Sequence, residues 1–179
     1  GRYPNVVTSL QFERLLSASG PTKGRIVRPS DGTEPKRIAW LQCIGSRDQE
    51  RPYCSSVCCM AATKEAMVAK EHLSEGTELS IFLMDLRAFG KGFDAYFRRA
   101  EAEGIGYVRC RASSVKEAPS TRNLLLQHEN GDGEMVTGEF DMVVLSVGLT
   151  GPRNGDKLAS VVGLALDASG FAAGSLSAP

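Results

Sequence analysis

The chain has 179 residues, of which 42% are hydrophobic and 23% charged; Lys plus Arg and Asp plus Glu both number 21, for a formal net charge of zero. This is the composition of an ordinary globular domain, long enough to bury a core. It argues against nucleic acid, which selects a basic excess, and against anionic lipid, which selects polybasic blocks; its apolar runs fall well short of the roughly 20 residues of a membrane span.

Tyr3-Pro4-Asn5-Val6 reads as an extended entry. Thr8 is placed to cap a short helix, with Gln11 completing a capping box. Leu10, Phe12, Leu15 and Leu16 give that helix an apolar side, and Ser19-Gly20-Pro21 stops it. Residues 22–36 are rich in Gly, Pro, Ser, Asp and Lys and read as a loop, with a short strand at Arg25-Ile26-Val27. Arg37 to Ile44 is a buried strand ended by Gly45-Ser46. A charged turn follows, then a helix capped by Ser55 or Ser56, running to about His72 and closed by Gly76. Val57, Ala61, Met67 and Val68 supply its apolar face.

Leu79 to Leu86 is almost wholly apolar, as expected of a central parallel strand. The loop Arg87-Ala88-Phe89-Gly90-Lys91-Gly92 leads to a second helix, Phe93 to Glu103. Tyr107 to Arg111 is a third strand. Ser113 to Lys116, Leu124 to His128 and Met135 to Phe140 form an antiparallel meander, with Asn130-Gly131-Asp132-Gly133 as its hairpin turn. Met142 to Val147 is the last buried strand, and a short helix is expected at Lys157 to Val162. The order strand, helix, strand, helix, strand, meander, strand imposes right-handed parallel pairing. The expected class is α/β: a Rossmann-like three-layer domain with a parallel sheet plus an antiparallel β-meander. The division read from the chain is a flanking helix and arm at 1–36, the Rossmann-like domain at 37–148 and a C-terminal segment at 149–179. Because the chain opens on Gly1 rather than Met and ends in Ser-Leu-Ser-Ala-Pro without a closing element, it is expected to be a piece of something longer. It carries no signal-peptide pattern.

Four of the five cysteines fall at the first strand-to-helix crossover: Cys43, Cys54, Cys58 and Cys59, spaced C-x10-C-x3-C-C. A dinucleotide domain puts G-x-G-x-x-G at that turn, to seat a pyrophosphate on the helix N-terminus. Here the turn reads Cys43-Ile44-Gly45-Ser46-Arg47, so a nicotinamide cofactor in the usual pose is not expected. Four thiolates could serve one soft metal centre. Buried apolar thiols are the plain alternative. Zinc would want a pair of C-x2-C knuckles, which are absent, and a redox pair would join Cys54 to Cys58. Cys58 and Cys59 point about 100° apart on a regular helix, so joint ligation needs the helix to start or distort there. Clustered rather than dispersed cysteines point away from a secreted disulfide framework and toward a reducing, cytoplasmic compartment. Cys110 reads as a buried thiol, Trp40 as core, and His72 and His128 as surface or capping groups. Asp85, Arg87 and Lys91 flank the functional edge of the sheet, as local salt bridges or as neighbours of a cofactor. No catalytic residue is assigned.

At WLQCIGSRD, YCSSVCCM, DLRAFGKGF and FDMVVLSVGL the sequence closely resembles the A-type subunit of heterodisulfide reductase, a family of flavin- and iron–sulfur-containing electron-transfer proteins. The resemblance runs from Tyr3 to about Gly170. It implies a thioredoxin-reductase-like core, of which this piece corresponds to the nicotinamide-binding domain plus flanks. It further implies that Cys43, Cys54, Cys58 and Cys59 hold a non-canonical 4Fe-4S cluster. The parent would carry FAD, whose Gly-rich motif is absent here, as are the family's ferredoxin cysteine runs. Its partners would be other heterodisulfide-reductase-like subunits or electron-transfer proteins. The expectation is therefore a segment of an electron-transferring oxidoreductase, inactive alone. The alternatives are a metal-free thiol-disulfide oxidoreductase and a structural domain that docks subunits.

Overall fold

Alternating side chains along the apolar strands decide the layering. In the computed structural model, which describes residues 2–174, the elements in chain order are β1 (Val6–Thr8), α1 (Ser9–Leu16), β2 (Arg37–Leu41), α2 (Cys58–His72), β3 (Glu78–Leu83), α3 (Phe93–Ala102), β4 (Gly106–Arg109), β5 (Ala112–Glu117), β6 (Leu124–Glu129), β7 (Met135–Phe140), β8 (Met142–Leu145) and α4 (Gly155–Val162). Five strands pair in the order β1-β8-β2-β3-β4, all parallel. The meander β5-β6-β7 is a separate antiparallel sheet. Successive strand residues face opposite ways. Ile38, Trp40, Leu79, Ile81, Met142 and Val144 therefore pack on one side with Phe12, Leu16, Ala62, Ala66 and Ala100 of the helices. Ala39, Leu41, Phe82 and Val143 pack on the other with Leu124, Leu126 and Phe140 of the meander. The three layers are helices, parallel sheet and meander.

β1 is the one strand that sequence patterning missed. It lies inside the segment read as an arm, and pairs Val6, Val7 and Thr8 with Val143, Val144 and Leu145 of β8. Thr8 ends that strand and opens α1: its Oγ1 accepts the Gln11 N–H, and Gln11 Oε1 accepts the Thr8 N–H at 2.8 Å. The rest of residues 1–36 is tied down as well. Asn5, fully buried, donates from Nδ2 to Ser30 Oγ and to the Arg122 carbonyl, both at 3.0 Å. Arg28 donates to Asn123 Oδ1 at 2.9 Å and to the Thr121 carbonyl at 2.8 Å. No strand forms at Arg25-Ile26-Val27, because the Arg25 N–H is spent on a turn to the Thr22 carbonyl.

Two expected caps are replaced. α2 starts at Cys58 with Val57 as its cap residue and no side-chain bond there. Ser55 spends its hydroxyl on the Leu149 N–H at 2.8 Å, and Ser56 sits in the left-handed region at φ 61. At the far end the chain turns extended at Leu73, so Gly76 belongs to the turn before β3 and does not close the helix. The predicted hairpin turn forms, with Asn130 Oδ1 accepting the Asp132 and Glu134 N–H groups at 3.0 and 2.9 Å. α4 begins two residues before its predicted start. Of the C-terminal segment read at 149–179, residues 175–179 lie outside the described residues.

Topology then points to one place. The chain leaves β2 toward β3 on one side, while β8 lies on its other side. Strand order reverses at β2, and the crevice beyond the carboxyl ends of β2, β3 and β8 is where open parallel sheets seat ligands.

Candidate metal centre

Cys43 stands in that crevice. Its neighbours are pinned to the flanking strand ends: the Gln42 N–H donates to the Phe82 carbonyl at 3.0 Å and the Ile44 N–H to the Ser146 carbonyl at 3.1 Å. Between these anchors Cys43 takes φ 61, in the left-handed region. The loop then folds back. Arg47 donates its N–H to the Tyr53 carbonyl at 3.1 Å, and Asp48 Oδ1 accepts the Glu50 and Arg51 N–H groups at 3.0 and 2.7 Å. This closure returns Cys54 to the mouth of Cys43, and Cys58 and Cys59 follow in the first turn of α2. Among the described residues, five non-glycine positions have positive φ, and Cys43, Arg47 and Ser56 of this loop are three of them. Each costs on the order of 1–3 kcal/mol, and such outliers cluster where a site dictates the backbone.

Gly148, just past β8, closes the crevice from the other side at φ 72. A Cβ there would lie 2.9 Å from Ser55 Oγ and 3.2 Å from Ser46 Cβ. The lack of a side chain lets the returning backbone touch the cysteine loop.

Each of the four sulfurs has an N–H neighbour. The Ser56 N–H donates to Cys54 Sγ at 3.3 Å. The Arg47 guanidinium stands near Cys43, the Gly148 N–H near Cys58 and the Arg87 N–H near Cys59, each easing that thiol's ionisation. As free thiols the buried members are nonetheless held protonated. Burial pushes up the pKa of Cys43 and of Cys58, and pushes Cys59 up to about 11; negative charge on Cys43, Cys54 or Cys58 adds to the rise at Cys59. The four thiols thus lie within electrostatic range of one another, and all five cysteines are free.

Among the described residues no three His, Cys, Asp or Glu side chains converge tightly enough for a single metal ion. What the crevice offers is four free thiols where a phosphate would otherwise lie, the kind of donor that holds iron–sulfur clusters. The adjacency of Cys58 and Cys59 is also accommodated, since the helix begins at Cys58.

The other sequence candidates divide cleanly. Asp85 and Arg87 join the site: Asp85 Oδ1 accepts from Arg47 at 2.6 Å and from Arg87 at 3.0 Å, and the Asp85 carbonyl accepts from the Cys59 thiol at 3.8 Å. Lys91 instead lines an apolar groove with Phe93 and Tyr96. Cys110 packs on the meander side, and burial alone raises its pKa. His72 Nδ1 meets the Gly24 carbonyl at 3.2 Å, and His128 lies edge-on to Phe82 with ring centres 5.1 Å apart. Trp40 is fully buried. Arg47, Ser55, Ser56 and Gly148 were not predicted as site residues; the only signal available was the Gly-Ser-Arg turn after Cys43.

No family model matches the chain. Over 175 residues it is 47% identical to the second A-type iron-sulfur subunit of the CoB--CoM heterodisulfide reductase of Methanopyrus kandleri, covering 96% of this chain and 26% of that protein. Over 174 residues it is 42% identical to the A-type subunit of the H(2):CoB-CoM heterodisulfide,ferredoxin reductase of Methanothermobacter thermautotrophicus, with the same coverage. The chain therefore spans about a quarter of the length of the curated relatives it matches. The thioredoxin reductase of T. acidophilum superposes on 97% of this chain and 44% of its own with a TM-score of 0.53 at 14% identity, a likeness of fold alone. The resemblance read from the cysteine motif and the α/β class read from the element order are both borne out.

Proposed function

We propose, from the premise that this chain matches a segment of the A-type subunits of heterodisulfide reductases along 96% of its length, that it is the part of an electron-transferring oxidoreductase that holds a 4Fe-4S cluster on Cys43, Cys54, Cys58 and Cys59. The observation that carries this reading is the gathering of four free thiols, with the Ser56 N–H on Cys54, at the strand-order switch of the sheet. When bound, such a cluster takes up and gives back one electron at a time.

This chain's own residues supply ligation, burial and dipoles. The loop from Cys43 to Cys58 wraps the site, with Gly148 and the Arg87 backbone closing its sides. N–H groups aimed at sulfur stabilise thiolate charge, and the half-buried setting limits water; both adjust a cluster's potential. No residue here needs to move a proton during electron transfer. Ligation itself displaces the thiol protons, so loading should release protons and proceed further at pH 8.5 than at pH 6.5.

FAD would belong to the portions of the parent outside this segment, since the Gly-rich motif that seats it does not occur in these residues. Its partners would be the other subunits of a reductase complex or electron-transfer proteins, in a reducing cytoplasm where free thiols persist. Among the described residues no helix is long and apolar enough to cross a membrane. A metal-free thiol-disulfide cycle is a weaker reading, because burial keeps Cys58 protonated at neutral pH and so a slow nucleophile. Anaerobic reconstitution of the full-length protein, with iron and sulfide analysis and electron paramagnetic resonance, tests the proposal. Replacing any of the four cysteines by Ser should abolish or alter the signal of one cluster. Signals unchanged through all four replacements would overturn the assignment.

A further inference from the structure

Asp85 stands two residues beyond β3, at the carboxyl edge of the sheet beside Cys43, and two arginines share it. Arg47 places Nη1 2.6 Å from Oδ1 and Nη2 3.4 Å from Oδ2. Arg87 places Nε 3.0 Å from Oδ1 and Nη2 2.9 Å from Oδ2. Each guanidinium thus engages both carboxylate oxygens. A salt bridge that merely fixed the loop would need one arginine and would be neutral. Two cations on one anion leave an excess of one positive charge.

That excess stands beside the cysteines. The Asp85 carbonyl oxygen lies 3.8 Å from Cys59 Sγ, and the Arg47 and Arg87 charges are within electrostatic range of Cys43 and Cys54 respectively. Arg47 itself stands at φ 58. We propose that Arg47, Asp85 and Arg87 form a charge triad that raises the reduction potential of the four-cysteine centre, with Asp85 as the opposing charge that limits the rise. The proposal rests on the cluster reading given above.

The physical step is simple. Reduction adds one electron and no proton, so the charge of the centre falls by one. Nearby positive charge stabilises the reduced form more than the oxidised form, and nearby negative charge does the reverse. Removing Arg87's charge must therefore lower the potential, while removing Asp85's must raise it. The side chains of Arg47, Asp85 and Arg87 are 25%, 34% and 36% exposed, so solvent ions reach them and both shifts should shrink at high salt.

The test is a potentiometric titration of the full-length, anaerobically reconstituted protein, followed by electron paramagnetic resonance with dithionite as reductant. Arg87→Gln should move the midpoint potential down and Asp85→Asn should move it up. Arg87→Lys, which keeps the charge without the fork, should stay near wild type. Potentials unmoved in Arg87→Gln and Asp85→Asn, or moved in the same sense by both, would overturn the triad while leaving the cluster intact. If a variant fails to load, the sign of the other still decides. Wild-type protein that takes up no iron would instead overturn the cluster reading, and the triad with it.

Discussion

At the scale of single residues, the site depends as much on what one glycine lacks as on what the cysteines carry. Gly148 holds φ 72, and a Cβ there would press against Ser55 and Ser46. Gly148→Ala should therefore cost on the order of 1–3 kcal/mol, read as a lowered urea midpoint, and should impair iron uptake beyond that loss. A variant as stable as wild type would mean the crevice tolerates a methyl group. Cys110 gives the matched control. It packs on the meander side and, although it lines a cavity with Cys43, no other thiol's charge acts on it, so Cys110→Ser should leave iron content unchanged where Cys59→Ser abolishes loading. The cysteine spacing made four of these residues legible in the sequence. Arg47, Ser56 and Gly148 were not legible as site residues, because their roles arise from backbone conformation and from the return of β8, which adjacent sequence does not encode.

At the scale of elements, the helix that presents Cys58 and Cys59 is anchored by a buried acid. Glu65 of α2 is 1% exposed, and its Oε2 accepts the Trp40 Nε1–H of β2 at 2.8 Å. Burial lifts its pKa from 4.5 to about 7, with the Trp40 bond opposing the rise and the neighbouring Glu13 and Lys64 adding smaller effects of opposite sign. The folded protein therefore binds this proton more tightly than the unfolded chain does. Its stabilising contribution is complete below about pH 4.5 and is lost as pH rises through about 7. At about 1.4 kcal/mol for each tenfold change in proton affinity, the loss is on the order of 3 kcal/mol. Glu65→Gln keeps an acceptor for Trp40 and cannot ionise. Denaturant titrations at pH 4.5 and pH 8 should then show the wild type losing stability relative to the variant, and parallel profiles would remove Glu65 as the cause. α1 depends on its cap in a simpler way: Thr8→Ala should cost about 1 kcal/mol by deleting the capping box. That box was visible in the sequence because its signals lie three residues apart. β1 was not, since three residues carry no periodicity and their partner is β8, from which most of the chain separates them. The caps of α2 failed for a related reason: Ser55 is claimed by Leu149, a contact 94 positions away.

At the scale of the whole molecule, three layers converge on one edge but only some of them touch the centre. The four cysteines come from the end of β2, the following loop and the start of α2, while nearby N–H groups come from beyond β3 and β8. The meander packs on the opposite face of the sheet through Leu124, Leu126 and Phe140, and meets the crevice at Ala112, where β5 starts, in a cavity shared with Cys43. A cluster bound there would act as a staple across four segments, adding its binding free energy to the folded state alone. Because the loop from Cys43 to Ser56 holds three left-handed residues that oppose its own closure, it should be the part that opens most readily without the staple. Hydrogen exchange of the loaded protein and of the same protein stripped by an iron chelator should therefore differ chiefly at residues 43–58 and 146–149. The strands of the meander should exchange alike in both. Equal protection across the crossover would detach the metal from the fold, whereas loosening spread evenly through β5, β6 and β7 would mean that the centre supports the whole domain and not one edge of it.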